Sequence, residues 1–157
     1  MRKIFLIASG IILLLLVLSS IYGYIYMHRS LPERSGKLGF SGVEDSVEIT
    51  YDKMGIPQIW AVSEKDAYFA LGYLHASDRL FQMDMTRRIA QGRLSELFGK
   101  VTLDFDRLQR KVGHNRMAAD QIQYLSDENR MWLKAYSDGV NAFVESGPAL
   151  PFEYALL

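Results

Sequence analysis

The 157-residue sequence contains no cysteine, which excludes disulfide bonds, thiolate zinc sites and a cysteine nucleophile. It also lacks a charge bias, because 18 basic and 18 acidic side chains cancel to a formal net charge of +0. There is no basic stripe with interleaved aromatic residues, so nucleic acid is not an expected partner. A G-x-S-x-G nucleophile motif and an H-E-x-x-H metal motif are absent as well. These absences remove several common enzyme classes before any motif is considered.

A long uncharged apolar run, residues 4–26, lies near the N-terminus. It is long enough for a helix that spans a bilayer, which needs roughly 20 apolar residues. Arg2 and Lys3 precede the run and favour an N-terminus held in the cytoplasm. We therefore predict a membrane anchor over residues 1–29 that contacts lipid through residues 4–26, with the remainder extracytoplasmic, at the cell surface or in the periplasm. A cleaved signal peptide, which would leave a secreted protein, is the alternative.

A linker and a β-hairpin are predicted after the apolar run. Residues 30–46 are rich in glycine and serine, which is typical of a linker. Val47–Tyr51 alternates apolar and polar side chains, as expected for a strand with one buried face. Asp52–Gly55 has the composition of a turn, and Ile56–Val62 supplies the second strand.

An apolar helix is predicted after the hairpin. Ser63 is a favourable N-cap, and Asp66 three residues later resembles the second half of a capping box. Residues 64–76 are apolar on nearly every face, which indicates a helix buried on all sides. A short chain has few elements to surround such a helix, so the folded part is expected to need further protein around it. The helix is predicted to continue over residues 78–89, before Gly92 interrupts it.

Three further helical segments are predicted toward the C-terminus. Leu94–Phe98 favours a short helical turn, and residues 105–124 favour a helix that Gly113 weakens. Ser126 is a good N-cap for a last helix over residues 127–144, whose apolar positions follow a 3.6-residue period. The predicted fold class is therefore mainly α with one small β-hairpin, preceded by a transmembrane helix.

The histidines and paired carboxylates of the folded part do not form a recognisable site. His75 lies in the apolar helix and is expected to be a hydrogen-bonded core residue, whereas His114 is expected to face solvent. Asp104 and Asp106 are better explained as acids near a helix N-terminus than as cation ligands. No catalytic residue and no metal ligand is predicted.

Two charged pairs, Asp78-Arg79 and Arg87-Arg88, lie within or beside the apolar helix. Charges in such surroundings need partners. We predict a structural ion-pair network that attaches this helix to the segments that follow it. Contact with a substrate or with another domain is the alternative interpretation.

An ordered series of short motifs resembles the start of the α chain of penicillin acylases, which are N-terminal-nucleophile hydrolases. Each motif alone is weak, but their order over more than fifty residues is specific. The motifs are Asp52-Lys53-x-Gly55-x-Pro57-x-Ile59-x-Ala61, Leu71-Gly72-Tyr73-x-His75-Ala76-x-Asp78-Arg79-Leu80-Phe81-Gln82-Met83-Asp84, Arg87-Arg88, Gly92 and Glu96-Leu97-Phe98-Gly99. A less specific continuation through Tyr136-x-Asp138-Gly139-Val140-Asn141-Ala142 and Leu150-Pro151-x-Glu153 extends the resemblance over residues 47–157.

The resemblance implies an αββα hydrolase to which residues 47–157 contribute the beginning of the α chain. It implies an exported precursor that cleaves itself and a β chain whose N-terminal serine is activated by its own α-amine. The implied reaction is hydrolysis of linear amides in small acylated amines, such as β-lactam side-chain amides and acyl-homoserine lactones. The serine, the oxyanion-hole residues and the calcium ligands of such enzymes would lie outside this sequence. No cofactor is therefore assigned to it.

These observations lead to two hypotheses about the chain. In the first, it is the N-terminal fragment of an exported amide hydrolase, inactive alone and completed by a β chain that the sequence lacks. In the second, it is a non-catalytic, membrane-tethered binding or structural module derived from the acylase α chain. In both, residues 1–29 form the anchor, residues 30–46 the linker and residues 47–157 an incomplete domain.

Overall fold

The computed structural model describes residues 2–32 and 34–156, which form a mainly helical chain with a two-stranded antiparallel sheet. In chain order, the elements are α1 (Arg2–Arg29), β1 (Glu48–Tyr51), β2 (Pro57–Trp60), α2 (Glu64–Gln91), α3 (Ser95–Phe98), α4 (Leu103–Val112), α5 (His114–Gln121) and α6 (Asp127–Glu145). Short 3₁₀ turns cover Gly99–Thr102, Ile122–Tyr124 and Phe152–Leu156. The predicted fold class is confirmed in its helical content and its hairpin.

The N-terminal helix α1 stands apart from the packed part of the chain. Its segment Ser9–Arg29 has a mean hydropathy of 2.0 and is 0% buried, so its length and composition suit a membrane span. A signal sequence near an N-terminus has the same properties. The helix therefore fits either an anchor or a signal.

The hairpin forms as its alternating sequence predicts. Ile49 faces Ile59 and Tyr51 faces Pro57 in the antiparallel register, and these inward positions are less exposed than their neighbours. Pro57 occupies the first position of β2, where a missing N–H costs the sheet little. The turn is stabilised by Asp52, whose Oδ1 accepts the backbone N–H groups of residues 54 and 56 at 2.8 Å each.

The helices α2 and α6 pack against each other at unusually short distance. A Cβ atom placed on Gly72 would lie 2.0 Å from the backbone oxygen of Tyr136, and one on Gly139 would lie 2.0 Å from that of Phe69. Such contacts are possible only because glycine has no side chain. The two glycines therefore set the position where the helices cross.

The apolar half of α2 is covered to a large extent by its own chain. Phe69, Ala70, Leu74 and Ala76 retain at most 6% of their surface. Several other residues of this helix are only half-buried, so the expectation that the folded part needs further protein around it stays a prediction. Helix α6 and the segment before the hairpin, which are distant in sequence, already pack against it.

Glycines divide the C-terminal helices at the positions that the sequence indicates. Gly92 ends α2 in the left-handed conformation with φ 63°, and its N–H bonds to the last turn. The helix predicted over residues 105–124 is divided instead into α4 and α5, because Gly113 adopts φ 80° between them. Ser126 caps α6 as predicted and accepts the N–H of Asn129 at 3.2 Å.

The second half of the predicted linker is attached to the folded part, and we call residues 34–45 the strap. The Phe40 ring lies 5.7 Å from the Phe69 ring and 5.0 Å from the Tyr73 ring, centroid to centroid. Gly42 lies directly against Phe69, because a Cβ atom there would be 2.7 Å from the ring. The guanidinium of Arg34 lies 5.3 Å from the ring centre of Tyr51 in β1.

Asp66 holds the end of the strap and does not complete a capping box. Ser63 accepts the N–H of Asp66 at 3.1 Å, as an N-cap should. The carboxylate of Asp66, however, accepts the backbone N–H groups of Glu44 at 3.0 Å and Asp45 at 3.2 Å. Among the described residues, the Ser63 backbone N–H makes no hydrogen bond to this carboxylate, so the predicted capping box is not closed. The carboxylate bonds instead to backbone more than twenty positions away.

Candidate functional site

His75 is paired with a tyrosine across the two main helices. Its Nδ1 lies 3.0 Å from the hydroxyl of Tyr136 on α6, and the rings meet edge to face at 5.8 Å. Both side chains are partly buried, so each satisfies the polar group of the other. This arrangement agrees with the expected hydrogen-bonded core histidine and offers no serine or threonine to activate.

A cluster of charged side chains follows on the second half of α2 and on α3. Arg88 is 17% exposed and bridges Asp84, at 2.9 Å, and Glu96, at 2.7 Å. Arg87 binds the other oxygen of Asp84 at 2.7 Å, and Arg93 binds Glu96 at 2.6 Å. Burial favours a raised pKa for Asp84, but the two arginines outweigh burial and lower it. The network predicted for Arg87-Arg88 is present and joins α2 to α3.

Tyr154 extends this charge cluster to the C-terminal segment. Its hydroxyl donates to Asp84 at 3.4 Å, and its ring meets Phe81 edge to face at 5.2 Å. Burial, together with the nearby carboxylate of Asp84, raises the pKa of Tyr154. The cluster thus connects three parts of the chain and has the character of a structural junction.

The other predicted charged pair, Asp78-Arg79, lies outside the cluster. Both side chains are exposed, and neither forms an ion pair with the residues that the structure describes. The prediction of a structural ion-pair network is therefore wrong for this pair. At Arg79 itself, α2 leaves helical geometry, with φ −146° and ψ 34°. A shallow surface groove follows along α2 and is lined by Arg79, Gln82, Met83, Thr86, Arg87 and Ala90.

Asp106 is a buried structural carboxylate. It retains 2% of its surface and accepts the backbone N–H groups of Leu94 at 2.9 Å and Ser95 at 2.7 Å. Burial favours a raised pKa for Asp106, but the hydrogen bonds from Ser95 and Leu94 lower it. Asp106 does lie in the first turn of α4, yet it stabilises the preceding helix. Sequence reasoning missed this role because the acceptor and its donors are more than ten positions apart.

Asp104 and His114 face solvent, as expected for residues outside a site. Asp104 pairs with Arg107, at 3.1 Å, and its side chain is 95% exposed. Over residues 2–32 and 34–156, no group of three or more metal-binding side chains comes together. Within the same residues, no serine or threonine hydroxyl is hydrogen-bonded to a histidine. The described residues thus contain structural junctions and no nucleophile–base pair.

Comparison with known proteins identifies the family. The family described as Penicillin amidase matches residues 46–157. The Penicillin acylase 2 proenzyme of Pseudomonas sp. (strain SE83) is 44% identical over 131 residues, which is 83% of this chain and 17% of the relative. The acyl-homoserine lactone acylase QuiP of Pseudomonas putida is 41% identical over 115 residues, covering 73% of this chain and 14% of the relative.

A solved structure agrees with this result. The thermostable penicillin G acylase from Alcaligenes faecalis superposes with a TM-score of 0.64 at 36% identity, over 70% of this chain and 60% of that one. The chain belongs to the penicillin amidase family. It spans about a sixth of the length of the curated relatives that it matches, and it corresponds to their N-terminal region.

Proposed function

We propose that this chain is the N-terminal part of an exported acylase that hydrolyses linear C–N amide bonds in small acylated amines, such as β-lactam side-chain amides. The family membership of residues 46–157 supports the activity. The nucleophile in this proposal is the N-terminal serine of a β chain, activated by its own amine. Calcium, where the complete enzyme binds it, would be held by residues outside this chain.

The contribution of this chain in the proposal is scaffolding. The junctions formed by Asp66 and Arg88 fix the strap and α3 to the long helix α2, and Asp106 fixes α4 to the start of α3. Catalytic groups act only when they are held within a few tenths of an ångström, so rigid support of this kind contributes to the rate indirectly. By itself the chain is expected to hydrolyse no amide.

The alternative is a non-catalytic, membrane-tethered module derived from the acylase α chain. One observation favours it, because α6 and the strap cover much of α2 without any second chain. This alternative predicts a monomeric chain that unfolds in a single cooperative transition.

A chimeric proenzyme separates the two functions. Residues 47–157 would replace the matching segment of the Pseudomonas penicillin acylase 2 proenzyme, and self-cleavage and hydrolysis of an aromatic acetamide would be measured. We expect both activities in the chimera and none in the chain alone. A soluble chimera that neither cleaves itself nor hydrolyses the amide would contradict the scaffold role. Turnover by the purified chain would contradict the assignment of the chemistry to a β chain. A matched chimera with Ser137→Ala, an exposed change on α6, controls for substitution in general.

The proposal also includes α1 as an uncleaved anchor with its N-terminus in the cytoplasm. Its apolar length and the preceding Arg2 and Lys3 support this topology. The intact mass of the chain recovered from membranes tests it. A chain that has lost residues 1–29 after export would instead support the secreted alternative.

A further inference from the structure

The short connection between α1 and the strap limits the distance between α1 and the hairpin. Helix α1 ends at Arg29, and only residues 30–33 separate it from Arg34. An extended chain covers at most about 3.6 Å per residue, so Arg34 lies within about 18 Å of the end of α1. Backbone bonds from Ser30 to Met27 and from Leu31 to His28 shorten this distance further. The polar layer on each side of a bilayer is about 5–8 Å thick, so Arg34 lies within reach of it.

Arg34 is itself fixed to the hairpin. Its guanidinium lies against the Tyr51 ring at 5.3 Å and also against Gly55, where a Cβ atom would be 2.7 Å from Arg34 Nη1. Gly55 adopts φ 78° and leaves the space that the guanidinium occupies. Farther along the strap, Phe40 and the bonds to Asp66 hold the remaining residues. The strap is therefore attached to the folded part at both of its ends.

The hairpin and the strap expose apolar side chains where this short connection places them. Met54 is 86% exposed at the hairpin turn, and Ile56 beside it is 56% exposed. Leu38 in the strap is 67% exposed and Trp60 on β2 is 61% exposed. Contiguous exposed apolar patches mark interaction surfaces, and tryptophan is enriched where a membrane meets water. Met54 and Ile56 are neighbours on either side of Gly55 at the hairpin turn.

We propose that the strap holds the β1–β2 hairpin against the lipid headgroups beside the anchor, with Met54 and Ile56 among the lipids. The occupant of this surface is the bilayer, because the covalent connection to an apolar helix of membrane-spanning length is only four residues long. This inference rests on the proposed anchor and is independent of the proposed hydrolysis.

Depth-dependent fluorescence quenching tests the placement directly. The sequence has no cysteine, so Met54→Cys and Val101→Cys each create a single labelling position, and Val101 is a matched control at 93% exposure. The full-length labelled chain would be reconstituted into phosphatidylcholine vesicles with and without brominated acyl chains. If the hairpin inserts among the headgroups, brominated vesicles should lower the emission at position 54 at least about twofold relative to vesicles without bromine. The emission at position 101 should stay within about a tenth of its value without bromine.

Release of the strap tests its role. Arg34→Ala removes the contact with Tyr51 and Gly55, and we expect it to remove most of the quenching at position 54. Arg107→Ala removes another exposed arginine, which pairs with Asp104 and does not contact the hairpin, and should leave the quenching unchanged. Far-UV circular dichroism of each variant confirms that the helices are retained, and Arg34→Lys provides a milder second variant with an intermediate loss.

Each alternative outcome has a definite meaning. Equal, weak quenching at positions 54 and 101 in vesicle-bound chain would overturn the proposal and indicate that water or another protein covers the hairpin. Quenching that persists in Arg34→Ala would overturn the role of the strap. A chain that does not float with vesicles, or that lacks residues 1–29 by mass, would overturn both the anchor and this inference. The acylase proposal would be unaffected, since hydrolysis by the chimera is measured separately.

Discussion

The close approach of α2 and α6 predicts a large cost for adding one methyl group. In Gly72→Ala, the new Cβ would lie 2.0 Å from the carbonyl oxygen of Tyr136, whereas contacts below 3.0 Å are essentially never seen. The obstacle is backbone, so no side-chain rotation can relieve it, and the helices must separate by about 1 Å at their crossing. Overpacking of this kind costs about 1–3 kcal/mol, while alanine in place of a helical glycine returns up to about 1 kcal/mol. We expect a net loss of about 2 kcal/mol in the free energy of unfolding.

Tryptophan fluorescence during urea unfolding measures this loss. Trp132 on α6 stacks on Tyr68 of α2 at 5.4 Å, and a Trp60→Phe background makes it the sole tryptophan. For the full-length chain in detergent micelles, a loss of about 2 kcal/mol lowers the urea midpoint by about 1 M. A urea midpoint for Gly72→Ala equal to or higher than that of the parent, with an unchanged dependence of the unfolding free energy on urea, would refute the close crossing.

The facing glycine provides a second, stricter test. Gly139→Ala should cost a similar amount, because its Cβ would lie 2.0 Å from the backbone oxygen of Phe69. One separation of the helices relieves both contacts, so the double variant should lose clearly less than the two single variants together. Strict additivity would indicate that the two glycines act independently. Ser137→Ala on the exposed side of α6 serves as the control and should change the midpoint little.

Three further predictions use the same unfolding assay. The pKa of Asp66 and that of Asp106 are lowered in the folded chain, so their stabilisation is present above the unfolded pKa of about 3.9 and is lost as pH falls through the lower folded values. Asn at either position should lower the urea midpoint at pH 7, and the difference from the parent should shrink as pH falls below about 3.9; a constant difference would contradict this. Gly113→Ala should cost about 1 kcal/mol, because φ is 80° at that position, and an unchanged midpoint would argue against the helix break there. Arg88→Ala should lower the urea midpoint more than Arg87→Ala does. The Arg88 side chain is 17% exposed and has two carboxylate partners, whereas the Arg87 side chain is 53% exposed and has one. Equal effects of the two variants would refute the structural role of Arg88.

Local signals in the sequence predicted much of the fold. Ser126 was identified as an N-cap and Gly92 as a helix end, because these roles depend on neighbours within a few residues. The hairpin was predictable from the alternation of apolar and polar side chains before the turn at Asp52–Gly55. Gly113 is a weak point in the predicted helix, but the sequence does not predict that its left-handed conformation divides the helix in two.

The roles of the buried carboxylates could not be predicted in the same way. Asp66 and Asp106 both occupy first turns of helices, where acids are common for local reasons. In the folded chain their oxygens accept backbone N–H groups that come from other segments. A local sequence pattern does not indicate which distant segment of backbone packs against a given side chain. The same limit applies to Asp78 and Arg79, because the local pattern does not indicate that both side chains are exposed in the folded chain.

The pairing of α2 with α6 has a consequence for how the chain must be made. Gly139 follows Gly72 by about 67 positions, so α2 is complete well before its main cover emerges from a ribosome or a translocation channel. During that interval, the strap shields only the Phe69 and Tyr73 edge of the helix, and the remaining apolar surface is open to association. The speed with which residues 127–145 are delivered therefore governs the competition between folding and aggregation. After the apolar run of α1, residues 64–76 are the next long apolar segment that the nascent chain exposes before α6 emerges.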